Sequence, residues 1–120
     1  MRIEETYNNG IGILSLSGNL VMEEMAELKD LIRPYLDNQK YNGLICNLNN
    51  VNEIDSSGIG VIVSIYKSLR LCKRKFALSG LSDKNRTLFN MSKLDRVLII
   101  AQNDEAATQI LEDLPESKRE

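Results

Sequence analysis

The chain contains no histidine and only two cysteines among its 120 residues. Without imidazole there is no Ser-His or Cys-His nucleophile pair, no His-based zinc site and no side chain that ordinarily titrates near neutrality. Cys46 and Cys72 form no Cys-x-x-Cys pair and are too few for a disulfide framework or a zinc cluster. Both are expected to be reduced, buried thiols of a cytoplasmic protein. No Gly-x-x-x-x-Gly-Lys-Ser/Thr element occurs, which excludes a P-loop. The reading is of a protein that is not an enzyme and that needs no metal and no cofactor.

An excess of one charge sign is also lacking. The chain's 15 basic and 17 acidic side chains leave a formal net charge of −2. That balance argues against a chain whose main task is to coat nucleic acid or an acidic membrane. The stretch Asn8 to Met22 carries no charge, but polar residues interrupt it and it is too short to span a bilayer. Charges at Arg2, Glu4 and Glu5 occupy the place where a signal peptide needs its apolar region. A soluble, uncleaved protein is expected, a monomer or weak dimer, with neither nucleic acid nor membrane as a direct partner. No Pro-, Gly- or Ser-rich linker divides the chain, so one domain is expected over residues 1–114, followed by a flexible polar tail at 115–120.

What is present alternates between strand and helix patterns. Apolar-rich runs at 2–7 and 11–17 are joined by Asn8-Asn9-Gly10, whose Asn-Gly pair supplies the positive φ angles of a tight hairpin. From Val21 the apolar positions Met25, Leu28, Ile32, Tyr35 and Leu36 follow helical spacing, with a kink or restart expected near Ile32 because Pro34 lacks an amide hydrogen. Met22 and Met25 are assigned to the core side of that helix. Gly43 to Leu48 reads as a buried strand ended by a turn at Asn49-Asn50, and a helix starts near Ser56. On that helix Ile59, Ile62, Ile65, Tyr66 and Leu69 define a core face, while Gly60, Ser64, Lys67 and Leu71 point away from it. A strand at Lys75–Ser79, a helix capped by Ser82 over 83–92, an apolar strand at Val97–Ala101 and a last helix capped by Asn103 complete the pattern, the last helix burying Ile110, Leu111 and Leu114. The order ββαβαβαβα implies an α/β fold: a mixed sheet of one hairpin plus parallel strands, flanked by about four helices.

The segment Asn52-Glu53-Ile54-Asp55-Ser56-Ser57-Gly58-Ile59-Gly60 joins a buried strand to a helix and places two hydroxyls at a helix N-terminus. Free N–H groups and the positive end of the helix dipole tolerate an anion there, so a phosphate on Ser56 is compatible with a folded domain. Two plainer readings stand beside this one. Asp55, Ser56 or Ser57 is a simple N-cap with Gly58 and Gly60 permitting close packing, or Gly58-Ile59-Gly60 is part of a dinucleotide loop whose third glycine position holds Val63. Lys67, Arg70, Lys73, Arg74 and Lys75 form a basic run suited either to an acidic partner or to the negative end of a helix dipole.

Ile54-Asp55-Ser56-Ser57-Gly58-Ile59-Gly60-Val61, with Lys67, Leu78-Ser79-Gly80-Leu81-Ser82 and Leu94-Asp95 downstream, resembles the anti-sigma factor antagonist family, the bacterial members of the STAS domain superfamily. The likeness runs from about Gly10 to Leu114. It implies a cytoplasmic partner-switching protein of transcription regulation. Its unphosphorylated form binds an anti-sigma factor that is also a serine kinase, phosphorylation of Ser56 ends that binding, and a serine phosphatase restores it. Asp55, Ser57, Gly58 and Gly60 are then neighbours of the switch site, and Ile59, Ser64 and Lys67 belong to the partner-binding surface. The chain departs from its relatives in having Val21 where an aspartate is usual, Arg74 and Lys75 where a glycine pair is common, and Lys93 where a glycine often precedes Leu-Asp. The first departure keeps open a second reading, a non-phosphorylated STAS scaffold subunit of a multi-protein signalling or transport complex.

Overall fold

The computed structural model describes residues 1–115. Strands β1 (Arg2–Asn8) and β2 (Ile11–Leu20) form the hairpin, and α1 (Met22–Asp37) leads to β3 (Gly43–Ile54). Helix α2 (Ser56–Leu71), β4 (Lys75–Ser79), α3 (Asp83–Met91), a 3-10 turn at Leu94–Arg96, β5 (Ile99–Ala101) and α4 (Asp104–Asp113) follow. The strands lie in the order β1-β2-β3-β4-β5. The first pair is antiparallel and the remaining pairs are parallel, as the alternating sequence pattern requires. The hairpin turns where expected, with Asn9 and Gly10 at φ of 51° and 85°. The tail at 116–120 lies outside the described residues.

The sheet separates two unequal layers. On one face α1, α2 and α3 cover Leu14, Leu16, Leu44, Cys46, Leu48, Phe76 and Leu78. On the other, Ala107 and Leu111 of α4 pack on Ile11, Ile45, Ala77 and Ala101. Successive residues of β3 and β4 thus point to opposite layers, which is the period-two geometry of a strand. Burial pushes the Cys46 thiol up to about 12, so it is inert packing. Cys72 is exposed rather than buried, because it closes α2 at the molecular surface.

Several expectations are corrected. Strand β3 passes through Asn49-Asn50 instead of turning there, because β2 also continues to Leu20 and pairs with Asn50, Val51 and Ile54. Burial of Val51 and Ile54 outweighs the turn preference of the asparagines. Helix α1 runs unbroken through Pro34, where both the proline and Asp30, whose carbonyl loses its intrahelical donor, are exposed to water. Met25 is buried but Met22 is exposed in the first turn. The last strand begins at Ile99, since the amides of Val97 and Leu98 fold back on the Leu94 carbonyl. Ile110 and Leu114 stay exposed because the narrow contact of α4 with the sheet is filled by Ala107 and Leu111.

Two adjacent cations, read from sequence as part of a surface run, tie these layers together. Arg74 donates from Nε to the Tyr41 carbonyl at 2.7 Å, from Nη1 to Leu36 at 2.6 Å, and from Nη2 to Tyr35 and Asn38 at 3.1 and 3.2 Å. Tyr35 and Leu36 lie in the last turn of α1 and Asn38 is its C-cap, while Tyr41 belongs to the connection to β3; the helix has no basic residue in its own last turn. Lys75 Nζ donates to the carbonyls of Leu111 and Leu114 at 2.9 and 3.0 Å, doing the same for α4 on the opposite face. Both helix ends obtain from the start of β4 the positive charge their dipoles favour. Arg74→Ala is expected to lower unfolding free energy by about 2–3 kcal/mol in urea titration, and Arg74→Lys to recover less than half, since an ammonium cannot reach four carbonyls.

Candidate functional site

The central strand β3 ends at Ile54, and a single residue, Asp55, connects it to α2. The amide of Asp55 still donates to the Leu20 carbonyl of β2 at 3.0 Å, so the connection is held to the sheet up to the helix itself. One residue earlier, Glu53 donates its amide to Asn19 Oδ1 at 3.1 Å and its carboxylate pairs with Lys84 of α3 at 2.8 Å. Asn85, fully buried, donates from Nδ2 to the carbonyls of Val51 and Asn52 at 3.3 and 3.2 Å. The strand end is therefore braced by β2 on one side and by the first turn of α3 on the other.

The Asp55 side chain serves two helices. Its Oδ1 accepts from the Gly58 amide at 3.0 Å, an N-cap of α2, and its Oδ2 accepts from the Met22 amide at 3.1 Å, in the first turn of α1. Val21, at the N-cap of α1, makes no side-chain bond, so the carboxylate that this position lacks is supplied from across the site. The amide of Gly58 is the main reason that the Asp55 carboxyl lies below the usual carboxylate range; burial opposes it, and the amide of Met22 adds a smaller lowering effect. Because the folded-state value is depressed, the contribution to stability is present above the ordinary aspartate range and is lost as pH falls through the lowered value.

The cap reading therefore applies to Asp55 and not to the serines. Ser56 is exposed on the first turn of α2, and its hydroxyl enters no hydrogen bond among the described residues. Ser57 is half-buried behind it. The two glycines differ in kind. A Cβ on Gly58 would lie 2.1 Å from the Leu20 carbonyl oxygen, so this glycine exists for close packing of α2 on β2. A Cβ on Gly60 would meet nothing within 4 Å. Inside a helix, glycine is less stable than alanine by about 0.5–1 kcal/mol, and nothing within the fold requires it at this position.

Ser64 and Lys67 continue the exposed face below Gly60, while Ile59 is half-buried against the larger core and is only partly available at the surface. Leu20 fills the crevice that a pyrophosphate would need beside Gly58, which removes the dinucleotide reading. Among the described residues no cluster of three or more His, Cys, Asp or Glu side chains has the arrangement to hold a metal. The bracing residues Asn19, Lys84 and Asn85 were not anticipated. The spacing of Asn85 to the buried Phe89, four residues on one helix, is the signal that places an amide in the core.

Comparison with known proteins agrees with this geometry. The STAS domain family model matches residues 2–107. The anti-sigma F factor antagonist of Paenibacillus polymyxa is 28% identical over 116 residues, covering 93% of this chain and 96% of that protein. The crystal structure of an anti-sigma factor antagonist from Mycobacterium paratuberculosis superposes with a TM-score of 0.85 at 18% identity, over 93% of this chain and 94% of that one. SpoIIAA of Bacillus in its phosphorylated form superposes with a TM-score of 0.67 at 19% identity, over 91% and 99%. A family match over nearly the whole chain, on a mixed five-stranded sheet with four helices, shows that this protein belongs to the STAS domain family.

Proposed function

We propose that the chain is a non-enzymatic anti-sigma factor antagonist that works by partner switching, with Ser56 as the phosphorylated residue. The observation that carries the reading is the division of labour at the start of α2. Asp55 does the capping, which leaves the Ser56 hydroxyl exposed and without structural duty. A phosphoryl group added there brings about −1.5 to −2 charges to a surface while leaving the hydrogen bonds that hold α2 in place. The partner is an anti-sigma factor with serine kinase activity, and a serine phosphatase resets the switch. The names of the curated relatives support the partner class, and the phosphorylated state of SpoIIAA, a structural neighbour, supports the modification.

The physics of the switch is desolvation. When a partner packs over Gly60 and Ser64, the phosphate must lose water next to the Asp55 carboxylate. Glu53 is already paired with Lys84. A penalty of about 3–4 kcal/mol lowers affinity roughly a hundredfold to a thousandfold. The family aspartate absent at Val21 is functionally covered for α1 by Asp55, so its loss leaves the acceptor geometry built.

Ser56→Ala is expected to bind the anti-sigma factor constitutively, and Ser56→Asp to bind it about a hundredfold more weakly by titration calorimetry. Equal affinities for the two variants would instead favour a scaffold role without modification. Gly60→Ala separates fold from function: the protein should gain about 0.5–1 kcal/mol in denaturant titration while partner affinity falls, because the methyl group enters space left for the partner.

A further inference from the structure

The exposed stripe of α2 does not end at the switch. Ser56, Gly60, Ser64, Lys67 and Leu71 are all exposed and, at helical spacing, lie on one line along α2. Sixteen helical residues carry that line about 24 Å away from the serine. At its far end is a groove of about 590 Å³ lined by Tyr66, Lys67, Arg70, Leu71, Lys73 and Val97. Three of these are cations and none is a carboxylate; Asp95 on the nearby 3-10 turn lies outside the lining.

Two features mark this groove as more than a solvated helix end. Leu71 is 84% exposed and Val97 is 54% exposed, so neither is engaged by the fold. Arg70 Nη1 donates to the Tyr66 hydroxyl at 3.1 Å, which orients the guanidinium before any ligand arrives. An oriented guanidinium beside apolar anchors suits a carboxylate on a protein chain better than a fluid lipid headgroup.

We propose that this groove is a second docking site, taking an acidic segment of a partner protein that carries large apolar side chains. Charge complementarity specifies the acidic residues, Leu71 and Val97 specify the apolar anchor, and the continuous stripe of α2 connects the groove to the surface beside Ser56. The site does not depend on the phosphoryl group or on the switch reading. It lets a partner remain tethered at one end of α2 while the other end is released.

The test is an amide NMR titration of the full chain with two synthetic probes: a glutamate-rich helical peptide with leucine at i, i+3, i+4 and i+7, and its counterpart with serine in place of leucine. The expected shifts cluster at Lys67 to Lys73 and Val97, with binding about tenfold weaker for the serine probe and for the Arg70→Glu, Lys73→Glu double variant, and unchanged in Ser56→Asp. All substituted side chains are exposed, and unchanged thermal melting confirms that each variant is folded. Equal binding of the two probes, or shifts spread over the surface, would overturn the proposal. So would binding to phosphatidylglycerol vesicles without peptide binding, or self-association abolished by Leu71→Glu, which assign the groove to lipid or to a second copy. Loss of peptide binding leaves the Ser56 switch intact, and loss of the switch leaves peptide binding intact.

Discussion

The carboxylate of Asp55 is shared between the amides of two helices, and the site takes its form from that sharing. A helix N-terminus has free N–H groups that some acceptor must satisfy. Here a single side chain satisfies one in α1 and one in α2. The two helices are thereby fixed to each other at the C-terminal end of β3, and the residue after the carboxylate is presented at a defined height on the first turn. Any other solution, with the serine capping its own helix, would occupy the hydroxyl that the proposed function requires to be free.

Around that point the fold uses charge sparingly. Three side chains, Asn19 of β2 and Lys84 and Asn85 of α3, position the end of β3. Apolar packing does the rest, with one layer built by three helices and the other by α4 alone. The thin layer matters less for the site than the thick one, because Ser56, Gly60 and the groove at the end of α2 all belong to the latter.

Much of this was legible in the chain. The hairpin followed from Asn9-Gly10, the parallel order from strands alternating with helices, and the start of α2 at Ser56 from the change of pattern after Ile54. The errors share a cause, which is tertiary context overriding local preference. Asn49 and Asn50 carry turn chemistry, yet pairing with β2 keeps them extended. Pro34 lacks a donor, yet α1 tolerates it on its wet side. Gly58 and Gly60 look alike in sequence and only the positions of Leu20 and of empty space tell them apart. The reach of Arg74 and Lys75 to distant carbonyls leaves no periodic trace, so a run of cations resolves into two inward clamps and an outward remainder only when the strands are assembled.

Those clamps also bear on how the sheet assembles. Arg74 and Lys75 are consecutive, and consecutive residues entering a strand point to opposite faces. The guanidinium meets the end of α1 and the ammonium meets the end of α4 only when Lys75 lies opposite Gly43. A slip of β4 by one residue would exchange their sides, leaving both helix ends without their donors and carrying two charges toward apolar surface. The pair therefore works as a key for strand alignment: it makes the neighbouring misregistered sheets costly in electrostatics as well as in packing, and it does so at a position where glycines would make no such distinction.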